Sequence, residues 1–82
     1  MQENQMSSYP IRLYDNRNDV LYIYLDSQYN AFADEEQPDI YVFRNDDDNR
    51  IVGFRILDFQ HNKSNFKLLY PQYETLCNGE LI

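Results

Sequence analysis

Residues 20–25, VLYIYL, carry large apolar side chains on both sides of a predicted strand. Successive side chains of a strand point to opposite faces of the sheet. One face therefore carries Leu21, Ile23 and Leu25, and the other carries Val20, Tyr22 and Tyr24. A strand with one solvated face normally alternates apolar with polar residues. This stretch instead indicates a sheet with two apolar faces, and no other part of the chain constrains the fold as much.

Two later predicted strands repeat the pattern. In residues 40–44, one face carries Ile40 and Val42 and the other carries Tyr41 and Phe43. In residues 50–59, one face carries Val52, Phe54 and Ile56 and the other carries Ile51, Leu57 and Phe59. Soluble monomers rarely expose a large contiguous apolar patch, so something must cover the second face. Three kinds of cover stay open: the C-terminal segment of the chain, a second copy of it, or a different protein.

The segments between these strands are less decisive. Residues 11–15 predict a short strand that forms a hairpin with residues 20–25 through a polar turn. Residues 26–39 fit either a helical turn capped by Ser27 or an irregular edge strand. Gly53 indicates a bulge or the close approach of another side chain. His61 lies in a segment that reads as a polar connection.

Near the C-terminus, five apolar residues recur at helical spacing: Phe66, Leu69, Tyr70, Tyr73 and Leu76. Proline is tolerated in the first turn of a helix, so a helix is predicted from near Pro71 to residues 78–79. The chain is thus predicted to be a β-rich α+β protein, with a small antiparallel four-stranded meander sheet and a short C-terminal helix packed on one face. Residues 10–82 form the predicted domain, and residues 1–9 are predicted to be a mobile tail.

The charge of the chain restricts its partners. Fourteen acidic residues against seven basic ones give a net charge of −7. Phosphate backbones and anionic membranes attract positive surfaces, so direct binding to nucleic acid or to a membrane is not expected. A basic protein partner and mimicry of a nucleic acid both fit this charge. The single cysteine, Cys77, excludes an internal disulfide and fits a reducing cytoplasm.

No residue pattern predicts catalysis, a cofactor or a metal site. The acidic run at 45–49, NDDDN, departs from a calcium-binding loop because the sixth position from Asp46 is Ile51 and the twelfth is Leu57. His61, the only histidine, has no nucleophile signature beside it. Cys77 follows the apolar Leu76, which favours a buried residue over a nucleophile.

Several residues follow the pattern of a known family. The first half of that pattern is matched by Tyr14, Asp15, Asp19, Leu21, Tyr22 and Ile23, and the second by Ile51, Val52, Gly53, Ile56 and Leu57. Residues 11–59 thus resemble a small bacterial family called domain of unknown function 2283. Asn49 departs from a usual glycine and Arg55 from a usual glutamate. The resemblance implies a compact β-rich protein and a genetic setting of small regulatory or antitoxin-like proteins, and it implies no catalytic residue.

The predicted function is therefore a non-enzymatic binding module, antitoxin-like or inhibitor-like. Its predicted contacts with a protein partner are the aromatic residues Tyr22, Tyr24, Tyr41 and Phe43. A basic partner is predicted to be steered by Asp34, Glu35, Glu36, Asp46, Asp47 and Asp48. Two alternatives stay open: a structural homodimer that buries its own aromatic side chains, and an acidic nucleic-acid mimic that blocks a DNA- or RNA-binding protein.

Overall fold

A computed structural model describes residues 8–79 of the chain, so most of the predicted N-terminal tail lies outside the described residues. The strands are β1 Ile11–Asp15, β2 Val20–Tyr24, β3 Ala31–Gln37, β4 Ile40–Asn45 and β5 Ile51–Ile56. The helices are α1 Phe59–Leu69, a 3-10 turn at Pro71–Tyr73, and α2 Glu74–Cys77. The β-rich α+β class, with an antiparallel sheet and C-terminal helices, is confirmed. The predicted number of four strands is wrong, since the sheet has five.

The additional strand is β3, in the segment for which the sequence left two interpretations open. It pairs antiparallel with β4, from Ala31 opposite Asn45 to Gln37 opposite Ile40, with a register shift between Glu35 and Gln37. Acidic residues disfavour strands in general. Here they lie on an edge strand, where exposed charges also discourage pairing with another chain.

The strand order is β1-β2-β5-β4-β3, with every neighbouring pair antiparallel. The predicted meander is therefore wrong, because β5 lies between the β1–β2 hairpin and the β3–β4 hairpin. Leu21 of β2 stands opposite Ile56 of β5, and Val42 of β4 stands opposite Phe54. The strand with the most buried residues thus occupies the centre of the sheet, where both of its edges are paired.

The aliphatic face of the sheet carries the hydrophobic core, and the C-terminal helices cover it. The core residues are Leu21, Ile23, Ile40, Val42, Phe54, Ile56, Phe59, Phe66, Leu76 and Cys77. The ring of Phe54 lies 4.9 Å from that of Phe66, 5.0 Å from Tyr70 and 5.1 Å from Tyr73, between centroids. The C-terminal segment therefore covers this face and not the tyrosine-bearing one.

The first helix lies where the sequence predicted the end of a strand and a polar connection. β5 ends at Ile56, α1 begins at Phe59, and His61 is exposed on that helix. Only Phe59, Asn62 and Phe66 of α1 are buried, so its apolar spacing is too sparse to be recognised. No helix within residues 8–79 has the length and apolar character needed to cross a membrane.

The predicted helix from Pro71 exists as a 3-10 turn followed by the four-residue α2. Of its predicted apolar stripe, Phe66 and Leu76 are buried, and Tyr70 and Tyr73 pack against the core. Leu69 departs from the stripe, since 38% of it is exposed. Arg12 of β1 holds this segment in place by donating from Nε to the carbonyl oxygen of Leu76, at 2.8 Å.

Asp19, in the turn between β1 and β2, ties the first hairpin to α1. Its carboxylate accepts hydrogen bonds from the Tyr14 hydroxyl at 2.6 Å and from the Gln60 backbone N–H at 3.1 Å. Its backbone carbonyl accepts the N–H of Phe59 at 2.9 Å. Asp58, which directly precedes α1, makes no side-chain capping bond. Asp19 therefore satisfies the free N–H groups of the first helical turn from a distant hairpin.

Replacing Asp19 with alanine is expected to lower the free energy of unfolding by about 1–2 kcal/mol. The substitution removes the cap and places alanine at a φ of 56°, which disfavours residues with a Cβ. Urea denaturation followed by circular dichroism measures the loss. Asp19→Asn is the control, since asparagine keeps an accepting oxygen and tolerates this backbone conformation. Equal stability of Asp19→Ala and the natural chain would contradict the capping role.

Candidate functional site

The face of the sheet opposite the helices, here called the aromatic face, is the candidate site. Tyr22 and Tyr41 flank Arg55 in one row across the three central strands, and Tyr24 and Phe43 flank Gly53 in the next. All four predicted aromatic contact residues thus lie together on this face, and each is partly accessible. The described helices pack against the other face. The aromatic face is therefore an accessible surface of large rings.

Arg55 lies at the centre of the aromatic face. Its guanidinium carbon lies 4.9 Å from the ring centroid of Tyr41 and 5.5 Å from that of Phe43, so the cation rests on two aromatic rings. Within residues 8–79 it makes no hydrogen bond or ion pair, and its Nε is buried without a partner. In a chain with twice as many acidic as basic residues, this central cation has no carboxylate partner in the described part.

A hollow of about 270 Å³ opens on this face next to Arg55. Its lining residues are Tyr22, Tyr24, Gln28, Ala31, Phe43 and Arg55. Gly53 lies between Tyr24 and Phe43 in the sheet, and the Gln28 side chain packs against it where a side chain of its own would stand. A Cβ atom at Gly53 would lie 2.7 Å from the carbonyl oxygen of Ile23 and 3.3 Å from Nε2 of Gln28.

Both interpretations of Gly53 are confirmed. Phe43 stands opposite Gly53 while Arg44 stands opposite Ile51, so Val52 is an extra residue in β5 and forms a bulge. The bulge turns Ile51 against the core, although the sequence placed it on the other face. Phe59 was placed there too, but it enters the core from α1. The close approach at Gly53 is that of the Gln28 side chain.

Gln28 is a residue of the site that the sequence did not indicate. Its Nε2 donates to the carbonyl oxygens of Asp26, at 2.8 Å, and of Val52, at 2.9 Å. These two bonds fix the amide, so Oε1 is the free acceptor, and it is buried without a hydrogen bond. Arg55 was noticed only as a departure from the family pattern. Arg55 lies two residues after Gly53 in β5, so both residues belong to the same face of the sheet. This spacing is the signal that places Arg55 on the aromatic face.

The predicted acidic residues lie around the sheet but do not form one line. Asp46, Asp47 and Asp48 are exposed in the turn between β4 and β5, and Asp48 pairs with Arg50 at 2.6 Å. On β3, Glu35 stands opposite Tyr41 and shares the aromatic face. Asp34 stands opposite the core residue Val42, on the other side of the sheet.

Glu36 also lies on the helix side, the face of the sheet that the C-terminal helices cover. There its Oε1 accepts a hydrogen bond from the Tyr70 hydroxyl at 3.1 Å. Partial burial and this neighbouring carboxylate raise the pKa of Tyr70 above its usual value. Of the three acidic residues of β3, only Glu35 therefore borders the aromatic face directly.

Cys77 is buried in the core, as predicted, and burial raises the pKa of its thiol. Because the thiolate is the reactive form, we expect a thiol reagent such as DTNB to modify Cys77 roughly 100-fold more slowly in the folded chain than in urea. The absorbance of the released thiolate measures both rates. Comparable rates in the two conditions would show that Cys77 is accessible in the folded chain.

Within the described region, neither the histidine nor a metal-binding cluster lies on this surface. His61 is exposed on α1, which packs on the opposite side of the sheet. Residues 8–79 bring together no group of three or more histidine, cysteine, aspartate or glutamate residues that could hold a metal ion. What the aromatic face offers chemically is apolar contact, the hydroxyls of its tyrosines, one central cation and, beneath the surface, one unpaired amide acceptor.

The comparisons with known proteins agree with the residue pattern. A family model described as protein of unknown function (DUF2283) matches residues 13–60. This span contains most of β1, all of β2 to β5, and the Asp19 contacts with the first turn of α1. No curated protein and no solved structure matches the chain. The matched span includes every residue that lines the hollow, while the segment covering the core lies mostly beyond it.

Proposed function

The chain belongs to the DUF2283 family, and we propose that it is a cytoplasmic, non-enzymatic protein-binding module, antitoxin-like or inhibitor-like, that docks a basic protein on its aromatic face. Membership in the family assigns no activity, so the proposal depends on the surface. The observation that carries it is the position of Tyr22, Tyr24, Tyr41 and Phe43 on the face opposite the helices. Protein interfaces are enriched in aromatic residues and arginine, and this face presents both.

The charge of the chain supports a basic partner. The net charge is −7, and exposed carboxylates lie along β3 and in the turn between β4 and β5. Such a surface attracts a positively charged protein from a distance and speeds its association. The aromatic residues then supply the apolar contact area that holds it.

The same charges make a different protein a better partner than a second copy. In a two-fold symmetric dimer through this face, residues near the axis approach their own counterparts. Arg55 lies on the central strand, so the two copies would bring like charges together at the centre and again around the acidic border. Light scattering is therefore expected to report a monomer at high concentration, and a stable dimer would favour the structural homodimer.

Nucleic-acid mimicry has less support. A mimic needs carboxylates arrayed along one side at the spacing of phosphates. Glu35 borders the aromatic face, whereas Asp34 and Glu36 belong to the helix side of the same strand. This division favours a charged border around a docking surface over a phosphate-like array.

The test is capture of a partner from the native cell with an N-terminal tag, at moderate salt. One stoichiometric protein is expected, and Tyr24→Glu or Tyr41→Glu should reduce its recovery at least about 30-fold, because residues central to an interface contribute most of its affinity. Tyr29→Glu is the matched control, since Tyr29 is 86% exposed, lies in the connection before β3 and does not line the hollow.

Three outcomes contradict this proposal. A partner that survives both substitutions binds elsewhere on the chain. A partner lost equally with Tyr29→Glu indicates a general effect of added negative charge. Recovery of the tagged chain alone, together with dimeric light scattering, replaces the binding module with the structural homodimer.

A further inference from the structure

We propose that the hollow beside Arg55 receives a carboxamide group, from an asparagine or glutamine side chain of the docked protein. This inference rests on the proposed function, because the hollow lies within the aromatic face. It goes further by stating what the centre of the partner's surface must carry. Basic residues around the edge of the partner's surface would not supply the hydrogen bonds that Arg55 and Gln28 lack.

The shape of the hollow suits a single flat group. The rings of Tyr22, Tyr24 and Phe43 line it, and flat groups pack well against aromatic rings. The volume of about 270 Å³ lies below the usual size of a site for a whole drug-sized ligand. It is suited to one side chain that acts as an anchor in an interface.

The donor side of the hollow is Arg55. Its guanidinium lies against the rings of Tyr41 and Phe43, and its Nε is buried without an acceptor. A buried donor without a hydrogen bond is destabilising, so an entering oxygen atom would be favoured. A cationic group would instead be repelled by the guanidinium.

The acceptor side is Gln28. Its Nε2 is committed to the carbonyl oxygens of Asp26 and Val52, which leaves Oε1 as a buried acceptor without a donor. A carboxylate could bond with Arg55 but would set its own oxygens against Oε1. A carboxamide carries an acceptor and a donor in one plane, so among carboxamide, carboxylate and amidinium groups it alone satisfies both residues. Both atoms are closed off from solvent in the free chain, so the two side chains must rotate from these positions for the entering group to reach them.

Three probes of nearly identical size separate these possibilities. Benzamide carries an acceptor and a donor, benzoate carries two acceptors, and benzamidinium carries only donors. Each is titrated into the purified full chain while ¹H–¹⁵N NMR spectra follow Gly53, the Gln28 amide and the Arg55 Nε–H. Benzamide is expected to bind at least about tenfold more tightly than either of the others, because each of them leaves one group unpaired. Tightest binding of benzoate or benzamidinium, or no binding of any probe, overturns the proposal.

Three variants test where the probe binds. Arg55→Met keeps an unbranched stem over Tyr41 and Phe43 but removes the donors, so benzamide affinity should fall about tenfold. Ala31→Phe fills the hollow and should abolish binding. Ala33→Phe is its matched control, because Ala33 stands opposite Phe43 on the same face but does not line the hollow. Equal loss in both alanine variants, or full binding by Arg55→Met, overturns the assignment.

The probes need no protein partner, so the two proposals fail separately. If capture depends on Tyr24 but benzamide does not bind, the docking face stands and the carboxamide anchor is wrong. If benzamide binds with the expected preference but no partner is captured, the docking proposal fails and the amide preference of the hollow stands.

Discussion

Replacing Phe54 with alanine is expected to lower the free energy of unfolding by about 3–5 kcal/mol. Phe54 is fully buried, and its ring contacts those of Phe66, Tyr70 and Tyr73 between the sheet and the C-terminal segment. The substitution leaves a cavity that joins these elements, and a chain of this length has a total stability of only about 4–12 kcal/mol. The loss is at least about a quarter of that stability, so the midpoint of urea denaturation at 25 °C, followed by circular dichroism, is expected to fall clearly.

Phe43→Ala is the control, because it removes the same atoms from the opposite face of the sheet. Phe43 is only partly buried, so the expected loss is about 1 kcal/mol or less. Its replacement should instead disturb the position of the Arg55 guanidinium and weaken the binding of a partner. Equal losses of stability in the two variants would show that the two faces have been assigned wrongly.

Gly53→Ala is expected to cost about 2–3 kcal/mol of unfolding free energy. The added Cβ would lie 2.7 Å from the carbonyl oxygen of Ile23, which belongs to the neighbouring strand and cannot move aside without disturbing the ladder. It would also press on Nε2 of Gln28, at 3.3 Å. Chemical denaturation measures the loss, and shifted NMR signals of the Gln28 amide should accompany it.

Gly79→Ala provides the comparison for a glycine that is constrained by its backbone conformation alone. Its φ is 91°, but a Cβ there would lie 3.7 Å from the nearest atom, in the Arg12 side chain. The expected cost is about 1 kcal/mol, from the unfavourable dihedral angle. If Gly79→Ala costs more than Gly53→Ala, steric exclusion is not the reason for glycine in β5.

The faces of the sheet were predictable because side-chain parity depends only on the local sequence. Leu21, Ile23, Ile40 and Val42 share the buried face as predicted, and Tyr22, Tyr24, Tyr41 and Phe43 share the other. The strand order was not predictable in this way. β2, β4 and β5 are each apolar on both sides, so parity did not distinguish the central strand from its neighbours.

The helix and the hollow depend on residues that are distant in sequence. α1 receives its cap from Asp19, which lies 41 positions before the bonded Gln60, and only three residues of α1 are buried. The hollow requires Gln28, in the connection after β2, to meet Gly53 and Arg55 of β5. These contacts follow from the pairing of β2 with β5, and no local pattern in the sequence encodes that pairing.

The central position of β5 has a consequence for synthesis of the chain on the ribosome. β1 and β2 emerge first, yet β2 gains its second neighbour only when residues 53–56 have been made. Isolated two-stranded hairpins are marginally stable at best, so the nascent chain holds two weak hairpins until β5 arrives and joins both. A messenger RNA truncated before the codons of β5 would yield fragments with unpaired strand edges, which are prone to aggregation. The integrity of the sheet thus depends on β5.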